Sequence, residues 1–172
     1  IALEPRLRIT ETGYVKSRYL DDKASVVAIL TLAKWISEDR IQLKRRVDVL
    51  FTVFEEIGHG GACGIAADTV ELLAVDMGCV GDNVSCTERQ VSICAKDKSG
   101  PYNREFTNKL IRCAQEAGID YAVDTYYSYS SDASVAIRTG YDVRHGLIGP
   151  GVYASHGYER THLDGIYNTF AL

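Results

Sequence analysis

The chain has 172 residues, 46% of them hydrophobic and 24% charged, with a formal net charge of -4 and a pI near 5.6. This composition excludes a mainly disordered chain, and with no basic run longer than Lys44-Arg45-Arg46 it excludes a nucleic-acid grip. No apolar run approaches the roughly 20 residues of a membrane-spanning helix. The five cysteines (Cys63, Cys79, Cys86, Cys94 and Cys113) are odd in number and hold no C-x-x-C pair, which predicts a reduced, cytoplasmic protein rather than a disulfide framework.

In chain order, residues 5–19 read as an irregular strand with a turn at Thr12-Gly13. Ala24, Val27, Ala28, Leu30, Thr31 and Ile36 recur near helical spacing and predict a helix from Asp22 to Ser37. The run from Val47 to Phe54 is β-branched and aromatic, as expected of a strand buried on both faces. After the glycines Gly58, Gly60, Gly61 and Gly64 comes a short predicted helix from Ile65 to Thr69. Strands are predicted at Leu72–Asp76, Val91–Cys94, Tyr121–Tyr127 and Asp142–Ile148. Helices are predicted at Tyr102–Ala117 (stopped by Gly118), at Ser131–Arg138, and from Thr161 or His162 onward, with a loop at Gly149-Pro150-Gly151. Alternating strands and helices imply an α/β fold: a three-layer α/β/α sandwich with a mostly parallel central sheet.

In such sheets function gathers at the carboxyl ends of the strands. There the sequence places Asp21-Asp22, Glu55-Glu56, Asp76 and, in the loop after the strand 142–148, His156. Each has an ordinary explanation taken alone; Asp21-Asp22, for instance, could cap a helix. Together they would pack like charges that repel unless a cation neutralises them, and the mixed oxygen and nitrogen set suits zinc, cobalt or manganese better than calcium. Competing motifs fail. The segment Gly58 to Gly64 has Cys63 where a dinucleotide fingerprint needs its third glycine, and the chain has no G-x-x-x-x-G-K-[ST], G-x-S-x-G or H-E-x-x-H.

Three segments, Tyr19-Leu20-Asp21-Asp22-Lys23-Ala24, Phe51-Thr52-Val53-Phe54-Glu55-Glu56-Ile57-Gly58 and Ala74-Val75-Asp76, resemble the glutamyl/leucyl aminopeptidases that form tetrahedral particles, peptidase family M42. Gly100-Pro101, Ser131-Asp132-Ala133 and Tyr153-Ala154-Ser155-His156-Gly157-Tyr158-Glu159 resemble the same family, in its order. The resemblance implies a di-metal aminopeptidase acting on peptides. Asp21 would bridge two divalent ions, zinc or cobalt. Glu56 and His156 would complete one site, Asp76 would serve the other, and Glu55 would be the general base. Asp22 and Asp132 would orient neighbours, and His162 is an alternative ligand to His156.

Two departures shape the expectation. The family's His-x-Asp segment and its inserted oligomerisation domain lie upstream of the paired aspartates, and no histidine precedes Asp21 here. With Ile1 as first residue, the expectation is a catalytic domain of a longer, homo-oligomeric enzyme, holding one ion rather than two because the second site would keep only Asp21 and Asp76. Two other functions compete: a metal-dependent amidohydrolase or deacylase acting on an N-acylated small molecule, and a non-catalytic module that keeps the fold.

Overall fold

The structure is a computed structural model that describes residues 3–172. Strands β1 (Arg8–Ile9) and β2 (Tyr14–Ser17) form a hairpin, with Gly13 at φ +85° in its turn. Helix α1 (Leu20–Ser37) follows. Single 3-10 turns at Glu55–Ile57 and Gly60–Ala62 precede β3 (Glu71–Val75), β4 (Gly78–Val80), β5 (Val91–Asp97) and β6 (Gly100–Pro101). The chain continues through α2 (Arg104–Ala117), β7 (Tyr121–Thr125), α3 (Asp132–Arg138), β8 (Arg144–Tyr153), β9 (Glu159–His162) and α4 (Leu163–Ala171). No helix among the described residues is long and apolar enough to cross a membrane.

The sheet runs β1-β2-β9-β8-β5-β6, with β3 and β4 also paired to β8 and β7 to β5. The α/β expectation is met, but the sheet is not mostly parallel. Five pairings are antiparallel (β1–β2, β2–β9, β5–β6, β5–β8, β8–β9) and three parallel (β3–β8, β4–β8, β5–β7). Alternation of strand and helix fixes direction only where a helix returns the chain to the same end, as α2 does between β5 and β7. Short links such as the one between β8 and β9 reverse it.

Successive β8 residues serve opposite faces. Ile148 packs with Val91, Ile93 and the α2 residues Phe106, Leu110 and Ala114. Val152, on the same face, packs with Leu20 and Ala24 of α1 and with Ile166 of α4. Leu147 faces the other way, toward Ala133 of α3 and Tyr102. Helices α1, α2 and α4 therefore cover one face and α3 the other, which gives the three layers. The α2 residues Phe106, Leu110 and Ala114 recur every four positions, so one stripe is buried; each large side chain so buried contributes about 1.5–3 kcal/mol. Asn103 caps α2 by accepting from the Phe106 N–H, and Gly118 at φ +65° ends it.

Three local expectations fail. The run 47–54 forms no strand; Val47, Val49, Leu50, Phe51, Val53 and Phe54 are each at least half exposed. Its residue types favour a pleated surface, but no described strand pairs with it, and β-preference is expressed only against such neighbours. Residues 65–69 hold a turn rather than a helix. Gly149-Pro150-Gly151 is not a loop: β8 runs through it, and a Cβ on Gly149 would fall 1.2 Å from the Asp76 carbonyl oxygen, so glycine there lets the turn after β3 cross the strand.

Candidate metal centre

The acidic residues meet where three chain segments end against one another. Asp21 and Asp22 open α1 directly after β2, and the peptide between them is cis. Glu55 and Glu56 lie on the first 3-10 turn, not at a strand end as the sequence predicts. Asp76 follows β3, its backbone N–H donating to the Ile148 carbonyl on β8 at 2.9 Å. His156 stands in the loop between β8 and β9 at φ +65°.

From these positions two groups of donor atoms form, each within 4.8 Å: Asp21, Glu56 and His156, and Asp21, Asp22 and Asp76. The His156 Nε2 lies 3.3 Å from Asp21 Oδ2 and 3.2 Å from Glu56 Oε2. Ser155 Oγ donates to Asp21 Oδ2 at 2.6 Å. Asp21 belongs to both groups and so stands between them.

Charge is what this arrangement concentrates. Among the described residues the only ion-pair partner of Asp21 and of Glu56 is His156. Burial, with the Asp76 charge behind it, pushes the Asp22 carboxyl up to about 10. Asp76 is raised well above the usual range by burial and then by Asp21. Glu55 is pushed up to about 7, first by burial and then by Asp132 and Glu56, and Glu56 is raised by burial and then by Asp21. The Asp22 Oδ1 atom is buried and has no hydrogen-bond partner. An acid cluster with an orphaned buried oxygen and an imidazole at its edge fits a divalent cation by the chemistry of its donors.

The sequence reading made Asp22 an orienting residue and gave the second group Asp21 and Asp76 from this chain. The Asp22 carboxylate stands within reach of both, so that group has three acids. His162 is not part of the cluster. It is buried at the start of α4, where Nδ1 accepts from the Asp164 N–H at 3.0 Å and Nε2 donates to the Thr12 carbonyl at 2.7 Å. Both ring nitrogens are thus used. Asp132 starts α3, and its Oδ2 accepts from Thr52 Oγ1 at 2.6 Å, close enough to Glu55 to raise that carboxyl.

Two further contributors, Ser155 and Glu159, entered the sequence reading only as part of the segment from Tyr153 to Glu159, without a role of their own. Ser155 was invisible as anything but a loop serine. Glu159 is 1% exposed, accepts backbone N–H groups from Leu20, Asp21 and His156, and is raised mainly by its burial.

Asp21, Glu56, Asp76 and His156 line the floor of an open cleft of about 780 Å³. Tyr126, Tyr127 and Tyr129 all line it, yet in different ways. Tyr126 is buried and shares a 2.6 Å hydrogen bond with Ser92 Oγ, whereas Tyr127 is exposed to the cleft. Lys98 stands on the same wall.

A family model described as M42 glutamyl aminopeptidase matches residues 1–172. A curated protein of Bacillus subtilis (strain 168) named "Putative aminopeptidase YhfE" is 48% identical over 172 residues, which is all of this chain and 50% of that protein. The chain therefore spans about half the length of the curated relative it matches. Two solved structures share the fold. The TET1 peptidase of Pyrococcus horikoshii, described as able to assemble into a tetrahedron or a large octahedral shell, aligns with a TM-score of 0.83 at 23% identity, covering 97% of this chain and 51% of that one. A TET aminopeptidase from the marine sediment archaeon Thaumarchaeota archaeon SCGC AB-539-E09 aligns with a TM-score of 0.83 at 16% identity, covering 95% and 49%. With its full length matched by the family and this cluster at the end of its sheet, the chain belongs to the M42 glutamyl aminopeptidase family.

Proposed function

We propose that this chain carries the catalytic centre of a metal-dependent aminopeptidase that removes N-terminal residues from peptides. The observation that carries the reading is the pair of ligand groups sharing Asp21, of which Asp21, Glu56, Asp76 and His156 line an open cleft together with Glu55. Asp21, Glu56 and His156 would hold a zinc or cobalt ion, since two carboxylates and an imidazole match the preference of those metals. Asp22 and Asp76 would hold a second ion together with Asp21, most strongly in the full-length protein. A divalent ion bound there supplies a water of lowered pKa and polarises the scissile carbonyl.

The chain's own residues do the rest. Glu55, held near neutrality by burial and by Asp132 and Glu56, takes a proton from the attacking water and gives it to the leaving amine. The open side of the cleft admits the peptide.

Five free cysteines suit a reducing, cytoplasmic setting. Assembly into a homo-oligomer is part of the proposal, supported by the described assembly of the Pyrococcus relative. Light scattering on the full-length protein checks it.

The test is hydrolysis of leucine-, lysine- and glutamate-anilides with added cobalt or zinc, by the full-length protein and by Glu55→Gln. Turnover that requires metal and disappears in the variant is the expected result. Turnover only of substrates with a blocked amine would replace this reading with a deacylase.

A further inference from the structure

We propose that Glu159 is a positioning residue: one buried carboxylate that fixes the backbones carrying Asp21 and His156 and so sets the spacing of the metal-binding group. The proposal rests on the reading of Asp21, Glu56 and His156 as ligands.

The two oxygens of Glu159 serve different segments. Oε2 accepts the backbone N–H of Leu20 and that of Asp21, the latter at 3.1 Å, where β2 gives way to α1. Oε1 accepts the backbone N–H of His156 at 2.9 Å, in the loop after β8. Three donors satisfy a side chain that is 1% exposed and has no cationic partner among the described residues. The position of Glu159 is itself fixed, because it opens β9 opposite Ser17 of β2 in an antiparallel register.

The His156 backbone needs such support. At φ +65° a residue with a Cβ occupies the left-handed region, which is disfavoured by about 1–2 kcal/mol, and Ala154 at φ +59° shares it. Nothing in Asp21 or His156 alone holds their side chains at 3.3 Å. A carboxylate accepting from both backbones does. Outer partners that orient ligands commonly change metal affinity by about 10–100-fold when removed.

A glutamine at this position keeps the shape but offers one acceptor oxygen and one NH2 group. Whichever way it turns, a donor faces a donor, and one of the two segments is released. Glu159→Gln, His156→Ala and the unaltered protein are compared for cobalt affinity and for the visible spectrum of the cobalt-loaded protein, with far-UV circular dichroism of the metal-free forms. The expected result is a metal-free fold that is unchanged, cobalt affinity lower by about tenfold or more, and an altered spectrum in Glu159→Gln. Loss in His156→Ala with no loss and no spectral change in Glu159→Gln overturns the role of Glu159. No loss in His156→Ala overturns the ligand reading beneath it. Should Glu159→Gln fail to fold, hydrogen exchange in the unaltered metal-free protein decides. Slow exchange at the Leu20, Asp21 and His156 amides supports the clamp, and exchange at the rate of free loop amides overturns it.

Discussion

His156 Nε2 lies 3.3 Å from Asp21 Oδ2, although one residue begins the first helix and the other sits in a loop near the far end of the chain. The contact brings an exposed imidazole, 70% accessible, onto a carboxylate that is 8% accessible. A buried anion reached from one side by a solvent-facing nitrogen is open to a cation arriving from the cleft.

Metal binding should therefore be visible as stabilisation. Zinc or cobalt at about a hundred times its dissociation constant should add about 2.7 kcal/mol, which for a chain of this size is a rise in melting temperature of about 5–10 °C. Differential scanning fluorimetry with and without a chelator measures it. His156→Ala should remove most of the rise.

Glu55 should separate binding from chemistry. Glu55→Gln removes the proton carrier but none of the proposed ligands, so cobalt affinity should stay within about threefold while turnover falls by about 10²–10⁴. Calorimetric titration beside anilide hydrolysis reads the two quantities. A parallel loss of both would make Glu55 a ligand instead.

Gly149→Ala should destabilise the protein by about 3 kcal/mol or more, the upper end of what overpacking causes, because its Cβ would meet the Asp76 carbonyl oxygen, which is backbone and cannot rotate away. Urea unfolding of the metal-free variant measures the loss. Since the same shift moves Asp76, metal affinity should fall with it.

The cysteines should divide by burial. Cys63 and Cys113 are exposed and should react with iodoacetamide at pH 8. Burial pushes the Cys86 and Cys94 thiols up to about 12, and Cys79 to about 11, so these should stay unmodified until the chain unfolds. In the unfolded chain they release protons near pH 9, while the folded protein holds them. The unfolded state then binds fewer protons, and stability should fall as pH rises from about 9 to 12. Mass spectrometry of labelled peptides and melting at alkaline pH check both halves.

The helices were legible because their signals are local. Phe106, Leu110 and Ala114 lie one turn apart, Asn103 and Gly118 mark the ends of α2, and Ser131 with Ser134 forms a capping box that starts α3. Nothing beyond a few residues needs to be known to place such an element. The run 47–54 shows the opposite case. Its composition is that of a strand, but a strand exists only against a neighbour, and the sequence does not say whether one is in place.

The candidate site divides in the same way. Residue type was enough to single out Asp21, Glu55, Glu56, Asp76 and His156 in the sequence as candidates, because several acids ending apolar segments are hard to explain otherwise, although the strand-end rule does not hold for Glu55 and Glu56, which follow no strand. Sheet direction, the addition of Asp22 to the second acidic group, the withdrawal of His162 to cap α4 and the reach of Glu159 to both sides of the cluster were decided only by tertiary structure. Each depends on which distant segments come to lie within a few ångströms of one another. Periodicity and propensity describe how a segment folds on itself, whereas the meeting of β2, β8 and β9 is set by strand pairing across the whole chain.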